Sequence, residues 1–91
     1  MKIKWTNKSL SDLNRLYNFL APVNKQAAAN TIQSLTQAPN KVIHQPRIGE
    51  RLDEFEPREV RRLLIGHYEV RYELSNNIFY VLSIWHTREK R

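Results

Sequence analysis

The sequence predicts an α+β domain in the order β–α–α–β–β–β: an N-terminal strand, an α-helical hairpin, then a three-stranded antiparallel sheet. Three observations carry this. KIKWT alternates Lys2, Lys4 and Thr6 with Ile3 and Trp5, the period of two of a half-buried strand. The stretch after it spaces its apolar residues at helical intervals and is broken once, at Pro22. From Glu59 onward, EVRRLLIGHYEVRYEL and IFYVLSIW return to strand patterning.

Ser9, three residues before Asp12, is placed to open the first helix in a capping-box arrangement. Leu10, Leu13, Tyr17 and Leu20 then share one face, with Leu16 flanking it. A second helix follows Asn24, with Ala28, Ile32 and Leu35 on one side and Pro39-Asn40 as its expected end. Antiparallel packing of the two is the simplest arrangement. Pro46, Gly49 and Pro57 punctuate a charged stretch expected to cross the surface. Two strands then meet around Gly66-His67. In the second, Tyr68, Val70, Tyr72 and Leu74 share one face, and Glu69, Arg71 and Glu73 the other. Ser75-Asn76-Asn77 is a short turn, asparagine accepting the positive φ of a tight hairpin. IFYVLSIW is apolar on both faces, the pattern of a central strand covered on each side. The whole chain, residues 1–91, is read as a single domain without internal repeat.

Composition narrows the function. A chain of 91 residues buries only about 60–65% of the surface its unfolded form exposes, so a partner would add to a marginal stability. The absence of cysteine excludes a disulfide framework, a thiolate zinc site and a cysteine nucleophile. MKIKWTNKS has no apolar signal-peptide core, and no apolar run reaches membrane-spanning length, so the expectation is a cytoplasmic protein with no membrane partner. The net charge of +6 is unevenly placed. Residues 1–49 hold seven Lys/Arg against Asp12 alone, residues 50–59 two basic against five acidic, and residues 60–91 six basic against three acidic. Such an excess favours polyanions or an acidic protein partner over a neutral one, unless it is only a solvated basic surface.

Two glycines cannot make a Gly-rich phosphate loop. His44, His67 and His86 lack metal-ligand spacing, so no metal and no cofactor are expected. No serine sits in a nucleophile elbow. Arg61 and Arg62 point to opposite faces of one strand, Arg71 projects from the next, and Arg88 follows the last. On a curved sheet two or three of them converge to grip phosphate or carboxylate, or else Arg61 and Arg71 pair with Glu59, Glu69 or Glu73 across strands. His86 is the candidate for proton transfer near that surface, as in RNA cleavage through the 2′-hydroxyl, against a structural strand-end histidine. Tyr68 and Tyr72 read as packing residues with a wet hydroxyl. Phe55 is either a local plug or an exposed anchor.

Three landmarks give the chain a family likeness: Arg62-Leu63-Leu64-Ile65-Gly66-His67-Tyr68, the alternation from Tyr68 to Tyr72, and an apolar strand ending in His86-Thr87-Arg88. In this order and length the chain resembles the RelE/ParE superfamily of toxins from bacterial type II toxin–antitoxin modules, over nearly all of its residues. The resemblance implies a central last strand whose end delivers the histidine and basic residues to a functional face. It also implies a cognate antitoxin protein wrapped around the helical hairpin and sheet edge, with Leu13, Tyr17, Leu20 and Ile32 as its expected contacts.

The branch decides the mechanism. RelE-like members cut messenger RNA on the ribosome with Lys/Arg of the middle strands and a terminal Tyr or His. ParE-like members lack a complete catalytic set and inhibit DNA gyrase. The nuclease branch commonly has a phosphate-holding arginine just after the strand's first tyrosine, where this chain has Glu69. It has no lysine between Lys41 and Lys90, and no tyrosine after the last strand. The His86–Arg88 ending is ParE-like, although Glu89 replaces that ending's second arginine. These departures favour a ParE-like, plasmid-stabilisation type of toxin that binds gyrase through Arg61, Arg71, Trp85, His86 and Arg88, with no catalytic residue. The alternative is a metal-independent, ribosome-dependent endonuclease using His86 and Arg88. A further alternative is a non-toxic domain that only binds its antitoxin.

Overall fold

The computed structural model describes residues 1–89, which leaves Lys90 and Arg91 of the basic chain end outside the described residues. Strand β1 (Lys2–Trp5) is followed by helices α1 (Asn7–Leu20) and α2 (Lys25–Val42), a two-residue strand β2 (Glu50–Arg51) and one 3₁₀ turn (Asp53–Phe55). Strands β3 (Glu59–Ile65), β4 (Tyr68–Ser75) and β5 (Ile78–His86) complete the chain. One mixed sheet results, in the order β1-β5-β4-β3-β2. Its three-stranded antiparallel centre is as expected; β2 extends one edge, and β1 pairs in parallel with β5 from Lys2↔Ile78 to Trp5↔Val81. The β4–β5 hairpin turns on Asn76 and Asn77, with φ of 52° and 60°, the geometry asparagine tolerates.

The helices begin and end for identifiable reasons, not all of them the expected ones. Thr6, not Ser9, caps α1: its Oγ1 accepts from the Ser9 N–H at 3.2 Å, and the Ser9 hydroxyl donates to the Thr6 carbonyl at 2.8 Å. The face turned inward is Ser9, Asp12 and Leu16, with Leu13 half-buried beside them, while Leu10 is exposed. Leu16, placed at the flank by the spacing of its neighbours, is thus the centre of the helix contact. Asn24 caps α2, accepting from Ala27 at 3.0 Å. The helix runs through Pro39 to Val42 instead of stopping there. A proline gives up one N–H bond but leaves its carbonyl available, and the Pro39 carbonyl accepts from Ile43 at 3.0 Å.

Both helices cover the same face of the sheet. Leu16 and Leu35 pack onto Val70, Tyr72, Leu74, Phe79, Val81 and Ile84, and Ile3, Trp5, Leu13 and Ile32 seal the margins. The Tyr72 ring stacks on Phe79 at 4.4 Å between centroids. Its hydroxyl donates to the Pro46 carbonyl at 2.8 Å and accepts from the Gly49 N–H at 3.0 Å. A Cβ at Gly49 would lie 2.5 Å from that hydroxyl, so glycine is required by close approach. No α-helix among the described residues covers the other sheet face. Strand β5 is therefore fully buried on one side only, with Tyr80 and Trp85 half-buried on the other, in contrast to the cover on both sides its apolarity predicts.

Strand β1 pairs with β5 only as far as Val81, and beyond that point α1 supplies the missing partners. Thr6 donates from its backbone N–H and from Oγ1 to the Val81 carbonyl, at 3.2 and 2.7 Å. Buried Asp12 accepts the Ile84 N–H at 2.9 Å. Arg15 donates to the Ile84 carbonyl at 3.0 Å, and Glu89 accepts the His86 N–H at 2.7 Å. Lys8 and Arg15 flank Asp12 as counter-charges. Removing the carboxylate strands a buried donor, which costs more than the net value of an ordinary hydrogen bond. Asp12→Ala is expected to lower stability by about 2–3 kcal/mol, read as a lower urea midpoint with an unchanged slope.

Candidate functional site

Between Arg71 and Tyr72 the β4–β5 register shifts: Tyr72 stands opposite Val81, but Arg71 stands opposite Ser83. The extra residue, Leu82, makes a β-bulge, and a one-residue slip exchanges the two faces of everything that follows. Before the bulge Phe79 and Val81 face the helices; after it Ile84 and His86 do, while Ser83 and Trp85 face away. Had β5 kept strict alternation through Leu82, His86 would share a face with Arg71. With the bulge, the expected functional residues divide into two groups on opposite sides of the sheet.

On the helix-free side stands an arginine–carboxylate cluster. Arg62 of β3 and Arg71 of β4 are direct cross-strand neighbours. Glu69, 2% exposed, accepts from Arg71 Nη2 at 3.1 Å and lies 3.6 Å from Arg62 Nη1. The Arg71 guanidinium sits between two rings, 4.8 Å from the centroid of Trp85 and 5.6 Å from that of Phe55. Phe55 is thus a local plug. Arg62 also donates to Glu50 at 2.7 Å; the Glu50 hydrogen bond and charge, with Glu69 adding less, hold its guanidinium above its ordinary pKa. Arg58 is raised likewise by its hydrogen bond to Glu73 and by that carboxylate's charge.

Arg61 belongs to neither group. It faces the helix side at the edge of β3, donating to Glu59 at 2.9 Å and to the Gly49 carbonyl at 2.8 Å. Burial pushes the Glu59 carboxyl up, but hydrogen bonds from Arg61 and Arg47, with both positive charges, outweigh it and hold the group below its usual value. Arg61 and Arg71 do pair with glutamates, but with Glu59 and Glu69 two residues away on their own strands instead of across strands as expected.

On the helix side, a cavity of about 470 Å³ opens between α1 and the end of β5, lined by residues that include Phe19, Leu20, Tyr68, His86 and Arg88. The His86 ring meets Tyr68 edge-on at 5.2 Å and stacks on His67 at 6.0 Å. Its Nδ1 accepts the Arg88 N–H at 3.1 Å, which places the proton of neutral His86 on Nε2. Arg15 pairs with Glu89 across the cavity wall, so Glu89 is an anchor for the chain end. Burial raises the Tyr68 phenol, and the Glu89 charge adds to this against a hydrogen bond with Thr31.

Of the four residues expected to meet an antitoxin, Leu13 and Ile32 are packed against the core and Tyr17 is half-buried, which leaves Leu20 at the cavity. The apolar groups that do reach solvent here are Phe19, 76% exposed, and Val23, 90% exposed. Their signal in the sequence is that neither falls on the Leu13–Tyr17–Leu20 stripe, so no core position accounts for them. Among the described residues no group of three or more His, Cys, Asp or Glu is placed to hold a metal ion. No described helix is long and apolar enough to cross a membrane.

Residues 3–91 match the family model described as the ParE toxin of type II toxin-antitoxin system, parDE. The chain belongs to the ParE toxin family. Among solved structures, a chain from the "Chromosomal ParDE TA system from P. aeruginosa" superposes with a TM-score of 0.71. That alignment covers 94% of this chain and 95% of the other at 19% identity, a likeness of fold. No curated protein matches the chain by sequence. The ParE-family sheet here carries His86 on one face and the cross-strand pair Arg62 and Arg71 on the other.

The depressed Glu59 carboxyl has a consequence for stability. A group with a folded-state pKa below its unfolded value stabilises above the unfolded pKa and ceases to as pH falls through the folded one. Glu59→Gln is expected to lower the melting temperature at neutral pH and to flatten its decline below pH 4.5, the reference value for this carboxyl. Thermal unfolding between pH 3 and 7, as an approximate range of the carboxylate titration, checks both effects.

Proposed function

We propose that this chain is the toxin of a type II toxin–antitoxin module, that it arrests growth by poisoning DNA gyrase, and that a cognate antitoxin neutralises it. The observation that carries this reading is the separation of His86 from Arg62 and Arg71 by the sheet, with a carboxylate beside each middle-strand arginine. A ribonuclease of this superfamily needs a proton-transfer group and a phosphate-stabilising cation on the same scissile phosphate. Here His86 faces the α1 cavity, and the strand position that would carry the cation is Glu69, buried against Arg71. That favours a toxin acting by binding over one acting by RNA cleavage.

His86 and exposed Arg88 are the proposed contacts with gyrase, at the mouth of the cavity. Trp85 and Arg71 contribute from the opposite face only through their outer edges, since each covers the other, and Arg61 is held at the β3 edge. The antitoxin is proposed to lay apolar side chains over Phe19, Leu20 and Val23 and into the cavity, supported by the exposure of Phe19 and Val23 and by the exposed Arg88 guanidinium beside Leu20 at the cavity. Both partners place the protein in the cytoplasm.

Pulse-labelling of DNA and protein synthesis in the same cells, after induction without antitoxin, tests the reading. DNA synthesis is expected to fail first, with induction of the DNA-damage response, while translation continues. A translation arrest that comes first would instead make His86 and Arg88 a catalytic pair. No effect on either process would leave a non-toxic binding partner.

A further inference from the structure

Like charges directly opposite on neighbouring strands repel, yet Arg62 and Arg71 occupy such a pair on the helix-free face. Glu69 resolves the conflict from the diagonal position, 3.1 Å from Arg71 and 3.6 Å from Arg62. Its side chain is only 3% exposed, and that of Arg71 21%. Two guanidinium groups turned toward one carboxylate form the arrangement in which arginines also bind phosphate, because a planar carboxylate and a tetrahedral phosphate each offer a pair of anionic oxygens that the fixed fork of donors can take bidentately. A cavity of about 540 Å³, lined among others by Glu50, Arg62, Leu64, Glu69 and Thr87, lies beside the clamp, which gives a larger anion room to reach it.

We infer that Glu69 is the chain's own counter-anion in an oxyanion site built by Arg62 and Arg71, and that it keeps this face closed to the phosphate groups of nucleic acid. A chain of net charge +6 attracts polyanions at every collision. An internal carboxylate at the place where two arginines converge removes the geometry that would turn collision into residence. Glu69 is on this account a specificity-determining residue. Arg71, braced between Phe55 and Trp85, holds the fork in place whether or not the carboxylate is charged. The inference rests on the clamp alone and is independent of which macromolecule the toxin acts on.

Glu69→Gln, which keeps shape and removes charge, tests it. Glu50→Gln is combined with it in a second variant, because the Glu50 carboxylate already holds Arg62 at 2.7 Å and could swing into the vacated site. Each protein is titrated with inorganic phosphate and with a short single-stranded oligonucleotide, and the indole N–H of Trp85, beside Arg71, is followed by NMR. The expected result is saturable binding to the variants at least about tenfold tighter than to the native chain. Arg71→Lys in the Glu69→Gln background is expected to lose it, since an ammonium cannot replace the fork. Response to both ligands assigns the site to a phosphodiester, and response to phosphate alone assigns it to a terminal phosphate. A folded Glu69→Gln protein blind to both would overturn the inference and leave Glu69 a plain structural counter-charge, as would equal binding by the native chain. If Glu69→Gln is only partly folded, phosphate is expected to raise its melting temperature by mass action; no rise would count against the site.

Discussion

The structure depends on how the exposed edge of β5 is closed. A central strand needs hydrogen-bond partners on both sides, and β1 is only four residues long, enough to reach Val81. Past that point three α1-side residues, Thr6, Asp12 and Arg15, complete the ladder with side-chain oxygens and a guanidinium, and Glu89 closes it at His86. A helix that carries the partners for a strand is fixed against it in register as well as in distance. The apolar contact of Leu16 with the core supplies burial energy without direction; the polar seam supplies the direction.

Everything at the chain end follows from that seam and from the bulge at Leu82. The bulge reverses the alternation of β5, so the last strand delivers Trp85 to the face of Glu69 and Arg71 and His86 to the face of the helices. The seam then holds His86 and Glu89 against α1, where they wall a cavity with Arg15 and Tyr68. The basic character of the chain is correspondingly divided. The arginines on and just before the middle strands are spent on glutamates, in Arg58–Glu73, Arg61–Glu59 and Arg71–Glu69. Arg88, by contrast, is exposed at the end of the sheet. A surface of this kind meets a protein partner at its rim more readily than it cradles a phosphodiester backbone at its centre.

Much of the fold was legible in the sequence because its signals are local. Period-two alternation placed β1 and β4, the two asparagines placed the hairpin, and apolar spacing placed both helices. The features that were not legible depend on long-range geometry. The phase of β5 cannot be read from IFYVLSIW, because an apolar run looks the same with or without an extra residue, and its bulge decides which side His86 takes. Asp12 read as a helix cap because it follows Ser9 by three, whereas its role is set by Ile84, far along the chain. A lone carboxylate on the inward side of an amphipathic helix was the available hint. The opposing readings of the arginines, convergent or paired, were both visible, and only the register of Arg62 on Arg71 with Glu69 on the diagonal distinguishes them.

Native-state hydrogen exchange at the amides of Ile84 and His86 tests the central claim most directly, since both lie on the edge of β5 past Val81, where β1 no longer pairs. If α1 and Glu89 complete the ladder, the Ile84 amide exchanges only with global unfolding, as slowly as core amides of β4, and His86 shows protection that falls when Glu89 is replaced by Gln. Fast exchange at Ile84 in the native protein, comparable to that of the chain end, would contradict the claim and leave α1 held by apolar packing alone.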